Sequence, residues 1–344
     1  MSWYMSAPVS SFPSSRIFSF TDPHQYQAVI LAAQAEIFPT AKGAFHAELT
    51  QINLGRLWLQ RGWENLPRVY RGTFHVDRAP IGFLTKADQP TFQHCGLEVA
   101  PGDIIVNDCR PMHRRTQAPC YWGSMSLPAA DLAAMGEAVT GRELTAPSVT
   151  HLARPASAQM QRLLALHEAA GQLAANAPDV LARPEVARAL EQELIHGMIT
   201  CLSESASVEM SSGARRHSAV IDRLEDVFAT NADRALYLIE LCAATGVSER
   251  TLRACCQEHL GMSPVHYLWM RRMHLARRAL VRADPASATV TQIATGLGFW
   301  ELGRFAVEYR EMFGEPPSAS LRRPPEERRV LADRPFALPV SESA

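Results

Sequence analysis

The sequence of 344 residues lacks the features that would place it in or across a membrane. No apolar run approaches the roughly 20 residues needed to span a bilayer. Met1 to Phe20 carries Ser and Pro where a signal peptide would carry a basic segment and then an apolar one. The seven cysteines (Cys95, Cys109, Cys120, Cys201, Cys242, Cys255 and Cys256) include no C-x-x-C pair. That argues against a zinc ribbon or a disulfide framework, and a reducing cytoplasm fits. No Walker loop, dinucleotide fingerprint or G-x-S-x-G elbow is present, so no cofactor and no catalytic residue is expected. The net charge of −1 marks no strongly charged partner. The length suits two domains, each able to bury its own core.

What is present is unevenly distributed. Residues 1–24 read as an N-terminal arm. Within 25–150, short apolar or alternating runs (Phe45 to Asn53, Gly55 to Leu59, Arg68 to Phe74, Ile81 to Leu84, Phe92 to Val99, Ile104 to Val106, Tyr121 to Leu127) are separated by turn residues such as Ala100-Pro101-Gly102-Asp103. This pattern predicts a compact antiparallel β-barrel or sandwich. Residues 151–204 switch to helical periodicity. Met160, Leu163, Leu164 and His167 share one face, and Val186, Leu190, Leu194, Met198 and Leu202 another. Those apolar faces are expected to pair two copies of the chain, with packing onto the β domain of the same chain as the alternative. Residues 205–218 read as a linker, 219–323 as an all-helical domain and 324–344 as a tail. From Val247 to Arg323, eleven Arg and no Lys stand against seven acids, giving +4 and leaving −5 for the remainder of a chain at −1. Double-stranded nucleic acid is compatible with that asymmetry.

The helical segment repeats itself. Leu241-Cys242 followed by Gly246-Val247 recurs as Ile293-Ala294 followed by Gly298-Phe299. Leu252, Cys256, Leu260, Gly261 and Pro264 recur as Phe305, Tyr309, Phe313, Gly314 and Pro317. Each copy places a small residue in a short helix, Gly at a turn, and then an amphipathic helix ending at Gly-x-x-Pro. A helix-turn-helix needs these residue types: the small residue lets helices approach, and Gly accepts the left-handed turn. In the first copy Ser248 suits an N-cap. A Leu252–Cys256–Leu260 stripe facing inward leaves Glu249, Arg250, Arg253, Ala254 and Gln257 outward, beside Thr251. Arg and Gln are the types that bond guanine and adenine edges. The second copy offers Trp300, Glu301, Arg304, Val307 and Arg310. Between them Val265 to Val281 predicts one helix of about 25 Å, with Arg271 and Arg277 as further DNA contacts or else solvated or bridged to Glu or Asp. A strut of that length suits reading helices set about 34 Å apart in successive major grooves.

On these words residues 219–323 resemble the DNA-binding domain of AraC/XylS-type transcriptional regulators, two helix-turn-helix units joined by a linker helix. The phrase Gly298-Phe299-Trp300-Glu301-Leu302-Gly303-Arg304-Phe305 is similar to ethanolamine-operon regulators of that family, and it lacks the usual Ser or Asp after Gly-Phe. The resemblance implies promoter DNA and RNA polymerase as partners, activation of a nearby operon, homodimerisation, and a cupin-like sensor domain preceding the helices. The expected fold is therefore α+β. A barrel mouth is a common ligand site, and Trp58, Tyr70, Phe74, Phe83, Phe92 and Trp122 are candidates to line one for a small-molecule effector. A DNA-binding protein without ligand is one alternative. A metal-dependent cupin enzyme is another, but it would need an H-x-H pair, and His75, His94 and His113 stand apart, so no metal is expected.

Overall fold

A computed structural model of the chain describes residues 13–31, 33–75, 77–108, 110–231 and 236–323. The elements run β1 (Ser14–Phe20), α1 (Pro23–Val29), β2 (Ala33–Pro39), β3 (Ala47–Asn53), β4 (Trp58–Glu64), β5 (Arg68–Phe74), β6 (Arg78–Leu84), β7 (Phe92–His94), β8 (Leu97–Val99), β9 (Ile104–Val106), β10 (Met112–Thr116) and β11 (Cys120–Pro128). They continue with α2 (Ala129–Thr140), β12 (His151–Arg154), α3 (Ser157–Asn176), α4 (Pro178–Leu181), α5 (Pro184–Ser203), β13 (Ala206–Glu209) and α6 (Ser212–Thr230). The remainder is helical: α7 (Leu238–Thr245), α8 (Glu249–Leu260), α9 (Pro264–Arg282), α10 (Val290–Gly296), α11 (Leu302–Phe313) and α12 (Pro317–Leu321).

The strands form two antiparallel sheets, an eight-stranded one ordered β1-β3-β4-β11-β6-β9-β12-β13 and a five-stranded one ordered β2-β5-β10-β7-β8. The two face each other, and no strand pairing between them closes a barrel among the described residues. Alternation of side chains along each strand decides which core a residue joins. In β2 and β5, Ile37 and Tyr70 enter the core between the sheets, whereas their neighbours Phe38 and Val69 join the core of the helical domain. The small sheet is thus buried on both faces. Gly62 is required at its position because a Cβ there would lie 2.2 Å from the buried Trp122 ring.

Three expectations are corrected here. The part of the arm within the described residues is ordered: Ser14–Phe20 pairs in register with Ala47–Asn53, and Pro23 begins α1 behind an Asp22 cap. The linker 205–218 holds β13, paired with β12, and the start of α6, capped by Ser211. The apolar faces expected to join two copies are largely taken up within one, with Leu164, Val186, Leu190 and Leu202 left half-buried. Met160, Leu163, Leu194, Ile195, Met198 and Ile199 are all 3% exposed or less and pack with Ile52, Leu59, Ile81 and Met125 on the large sheet. That sheet has an apolar outer face of its own, so α3 and α5 satisfy it locally, at about 1.5–3 kcal/mol per buried side chain. The tail 324–344 lies outside the described residues.

Candidate nucleic-acid interface

Local chemistry shapes each helix-turn-helix. Helix α7 ends at Gly246, whose φ of +69° suits glycine. Ser248 then caps α8, its hydroxyl accepting from the Thr251 amide at 3.3 Å. Leu252, Cys255, Cys256 and Leu260 are essentially unexposed and build the core with Ile221, Leu224, Leu241 and Tyr267. In the second unit Thr289 and Gln292 form a capping box at the start of α10. Helix α11 begins without a side-chain cap at Glu301, as the missing Ser or Asp implied. It buries Phe305, Tyr309 and Met312.

The residues expected to read DNA divide into two groups. Glu249, Arg250, Arg253, Ala254 and Gln257 lie exposed along α8, with Thr251 half-buried at its start. On the second unit Trp300, Glu301, Arg304, Val307 and Arg310 are exposed, Trp300 to 75% and Val307 to 58%. Two of the arginines are braced. Arg253 Nε donates to Glu249 Oε1 at 2.8 Å, and Arg304 Nε to Glu308 Oε1 at 2.7 Å. Glu308 also accepts from Trp269 Nε1 of the linker helix at 2.9 Å. Each outward face therefore combines cations with apolar and acceptor groups, the mixture that base edges and phosphates require. Sequence reasoning missed Tyr237 and Ile239 at the start of α7, 67% and 78% exposed. Their pattern alone does not separate them from core positions.

Arg271 and Arg277 are the correction. Both lie on α9, but they are 6% and 5% exposed. Arg271 Nη1 donates to Glu225 at 2.8 Å, and its Nη2 lies 3.6 Å from Glu36. Burial works against the charge most, but Glu225, Tyr267 and Glu36 together outweigh it and the pKa is raised. Arg277 lies 3.5 Å from Asp22 and 3.6 Å from Glu315. Glu36 and Asp22 belong to the N-terminal half and Glu225 and Glu315 to the helical half, so carboxylates of both halves, not a phosphate, neutralise these two arginines. Other contacts across the same boundary are His113 Nε2 to His259 Nδ1 at 2.6 Å, Lys42 to Glu311, and His274 Nε2 to the Pro39 carbonyl at 3.3 Å.

The six aromatic candidates do not converge. Tyr70, Phe92 and Trp122 share the core between the sheets, with Phe74 packed at its edge. Phe83 instead packs on the helical side against His167, ring centroids 5.0 Å apart, and Trp58 stacks under the Arg78 guanidinium at 3.8 Å. Trp122 donates to Glu64 at 2.9 Å, and Arg114 is half-buried over Tyr70 and Phe92, donating to His94 at 3.3 Å. A cavity of about 280 Å³ lies elsewhere, between the domains, lined among others by Pro39, Phe45, Leu66, His274, Arg277 and Phe313. His75, His94 and His113 do not meet: His75 is exposed, His94 is turned inward, and His113 faces α8.

Comparisons with known proteins bear on this arrangement. A family profile described as a helix-turn-helix domain matches residues 241–323. The XylDLEGF operon transcriptional activator 2 of Pseudomonas putida is 31% identical over 123 residues, 36% of this chain and 78% of that protein. The chain belongs to the AraC/XylS family. Among other relatives, the probable thc operon regulatory protein of Rhodococcus erythropolis is 33% identical over 151 residues, 44% of this chain and 46% of the relative. This AraC/XylS-family chain thus spans less than half the length of that relative. Of solved structures, the AraC-like transcriptional activator CuxR matches 77% of this chain and 96% of its own at 14% identity, with a TM-score of 0.40. The relatives are named as transcriptional regulators and not as enzymes. No described helix is long and apolar enough to cross a membrane.

Proposed function

We propose that this chain binds double-stranded promoter DNA in a sequence-specific way and activates transcription of a nearby operon through RNA polymerase, in the cytoplasm. The observation that carries the reading is the pair of outward faces on α8 and α11, which the N-terminal domain leaves open while it covers the linker helix between them. Helix α8 is the principal reader: Arg250, Arg253 and Gln257 are exposed on it, and Ser248 fixes its start. Helix α11 has acids at Glu301 and Glu308 and an uncapped start, so it contributes more to affinity than to base choice. Arg271 and Arg277 are left out of the DNA contacts.

We read the two facing sheets as an open, cupin-like sensor. The interdomain cavity of about 280 Å³ supports an effector site better than the dispersed aromatics do. It is small beside the roughly 300–1,000 Å³ of drug-sized sites, which points to a small molecule. Homodimerisation remains part of the reading, on a surface other than the spent faces of α3 and α5. Footprinting of the full chain on its own upstream DNA tests the DNA reading, with the salt concentration varied. The expected result is a protected site whose affinity falls steeply with salt. Equal affinity for random DNA would overturn it.

A further inference from the structure

A second cluster of reactive side chains lies away from the reading faces, where α6 and the C-terminal end of α8 meet β10. His217 of α6 and Glu258 and His259 of α8 bring donor atoms within 4.8 Å of one another. His217 Nδ1 is 2.5 Å from one Glu258 oxygen, and His259 Nε2 is 3.7 Å from the other. The His259 side chain is fully buried, yet Nε2 has no hydrogen-bond partner. Such an orphaned buried atom calls for an explanation.

The neighbouring groups say which form the ring takes. His259 Nδ1 lies 2.6 Å from His113 Nε2, so one of these nitrogens carries the proton. His113 Nδ1 is 4.0 Å from Asp222 Oδ1, which favours a proton on that side of His113 and leaves its Nε2 as an acceptor. His259 then donates through Nδ1 and keeps a lone pair at Nε2, on the side of Glu258. The β7–β8 turn is cut to seat it: Cys95 and Gly96 have φ of 50° and 82°, and a Cβ at Gly96 would come 2.8 Å from His259 Cε1.

We propose that His217, Glu258 and His259 form a site for a divalent transition metal ion of the zinc class, with His113 as the positioning residue. Two imidazoles and a carboxylate are donors that zinc accepts, leaving a further position for water. The bond from His259 Nδ1 to His113 is the outer contact by which such sites fix a ligating ring. Ligand atoms about 2.0–2.2 Å from a tetrahedral ion lie about 3.3–3.6 Å apart, so the half-exposed His217 and Glu258 need to part from their 2.5 Å contact and swing toward His259 to close the site. All three ligands sit in the DNA-binding half, and His113 sits in the other. An ion on Nε2 makes Nδ1–H a stronger donor, so occupancy tightens the N-terminal domain against the end of the reading helix.

The test uses untagged full-length chain stripped with a chelator. It is titrated with zinc chloride by calorimetry and with cobalt chloride by visible absorption. Expected are one equivalent bound, a cobalt ligand-field band of a four- or five-coordinate site, and a raised melting temperature. His217→Ala combined with Glu258→Gln, both at partly exposed positions, should lose more than about tenfold in affinity while the metal-free melting temperature holds. His113→Gln should keep the stoichiometry and weaken binding by about 10–100-fold. Absent binding, or binding that the double variant leaves unchanged, would overturn the proposal.

Discussion

The sharpest division between a linker helix that contacts DNA and one clamped by its own protein lies at Arg271. Replacing it by Met removes a guanidinium whose side chain is 8% exposed and leaves Glu225, 4% exposed, as a buried carboxylate. Breaking one partner out of a buried pair costs about 3–5 kcal/mol. The lower end applies here, because Tyr267 still donates to Glu225 and Arg71 Nε stays 3.4 Å from it. A loss of about 3 kcal/mol at a urea m-value of about 2 kcal/mol/M moves the midpoint down by about 1.5 M. Affinity for promoter DNA, measured below the unfolding range, should keep its dependence on salt, since no phosphate contact is lost. A true phosphate contact would instead reduce the salt slope by about 1. Urea titration and binding isotherms at several salt concentrations decide the matter. An unchanged midpoint with a slope reduced by one refutes the clamp.

Further expectations follow from the same packing. Leu194→Ala should cost about 2–5 kcal/mol, and Leu194→Glu should abolish near-ultraviolet circular dichroism. A folded monomer from Leu194→Glu in sedimentation would restore the dimer interface in its place. Arg253→Ala should cost about 1–3 kcal/mol and relax choice at one base pair, whereas Arg304→Ala should lower affinity evenly across a randomised site library; the reverse pattern would exchange the roles of α8 and α11. Acid should destabilise the fold from about pH 6.5 downward. His167 and His274 are held at about 3, by burial first and then by Arg61 and His24 respectively. The unfolded chain therefore takes up protons that the native one refuses. The stability they contribute is complete above the unfolded pKa and falls with pH by about 1.4 kcal/mol per unit per histidine. Denaturant midpoints at pH 7 and pH 5 would show it, and equal midpoints would sink it.

The sequence made the helical half legible because its signals are local. Gly246, Gly261 and Gly314 fall at turns with positive φ. The expected helix over 265–281 corresponds to α9 at Pro264–Arg282. Among strands, Arg68–Phe74 and Ile104–Val106 coincide with β5 and β9. The run Gly55 to Leu59 does not, because β4 extends through Gln60, Arg61 and Glu64. The buried polar ends of Gln60 and Glu64 find partners only in the fold, Gln60 at Leu31 and Ser124, Glu64 at Tyr26 and Arg68. Distance along the chain hid the rest. Nothing near Arg271 announces Glu36, and nothing near His259 announces His113, 146 residues away. Charge type predicted a DNA contact for Arg271 and Arg277, and tertiary carboxylates took it.

The strand β13 has a mechanical consequence. It ends at Glu209, Met210 is buried, and Ser211 already caps α6, so the chain passes from the paired sheet edge into the DNA-binding domain with no slack. Domains on a flexible tether separate and recapture one another at an effective concentration set by tether length. Here that regime is closed. Displacing one domain means either stripping β13 from β12 or rotating about the backbone at 210 and 211. Along the backbone, relative motion of the two halves is thus a rotation at two residues beside α6, and not release of a tethered partner.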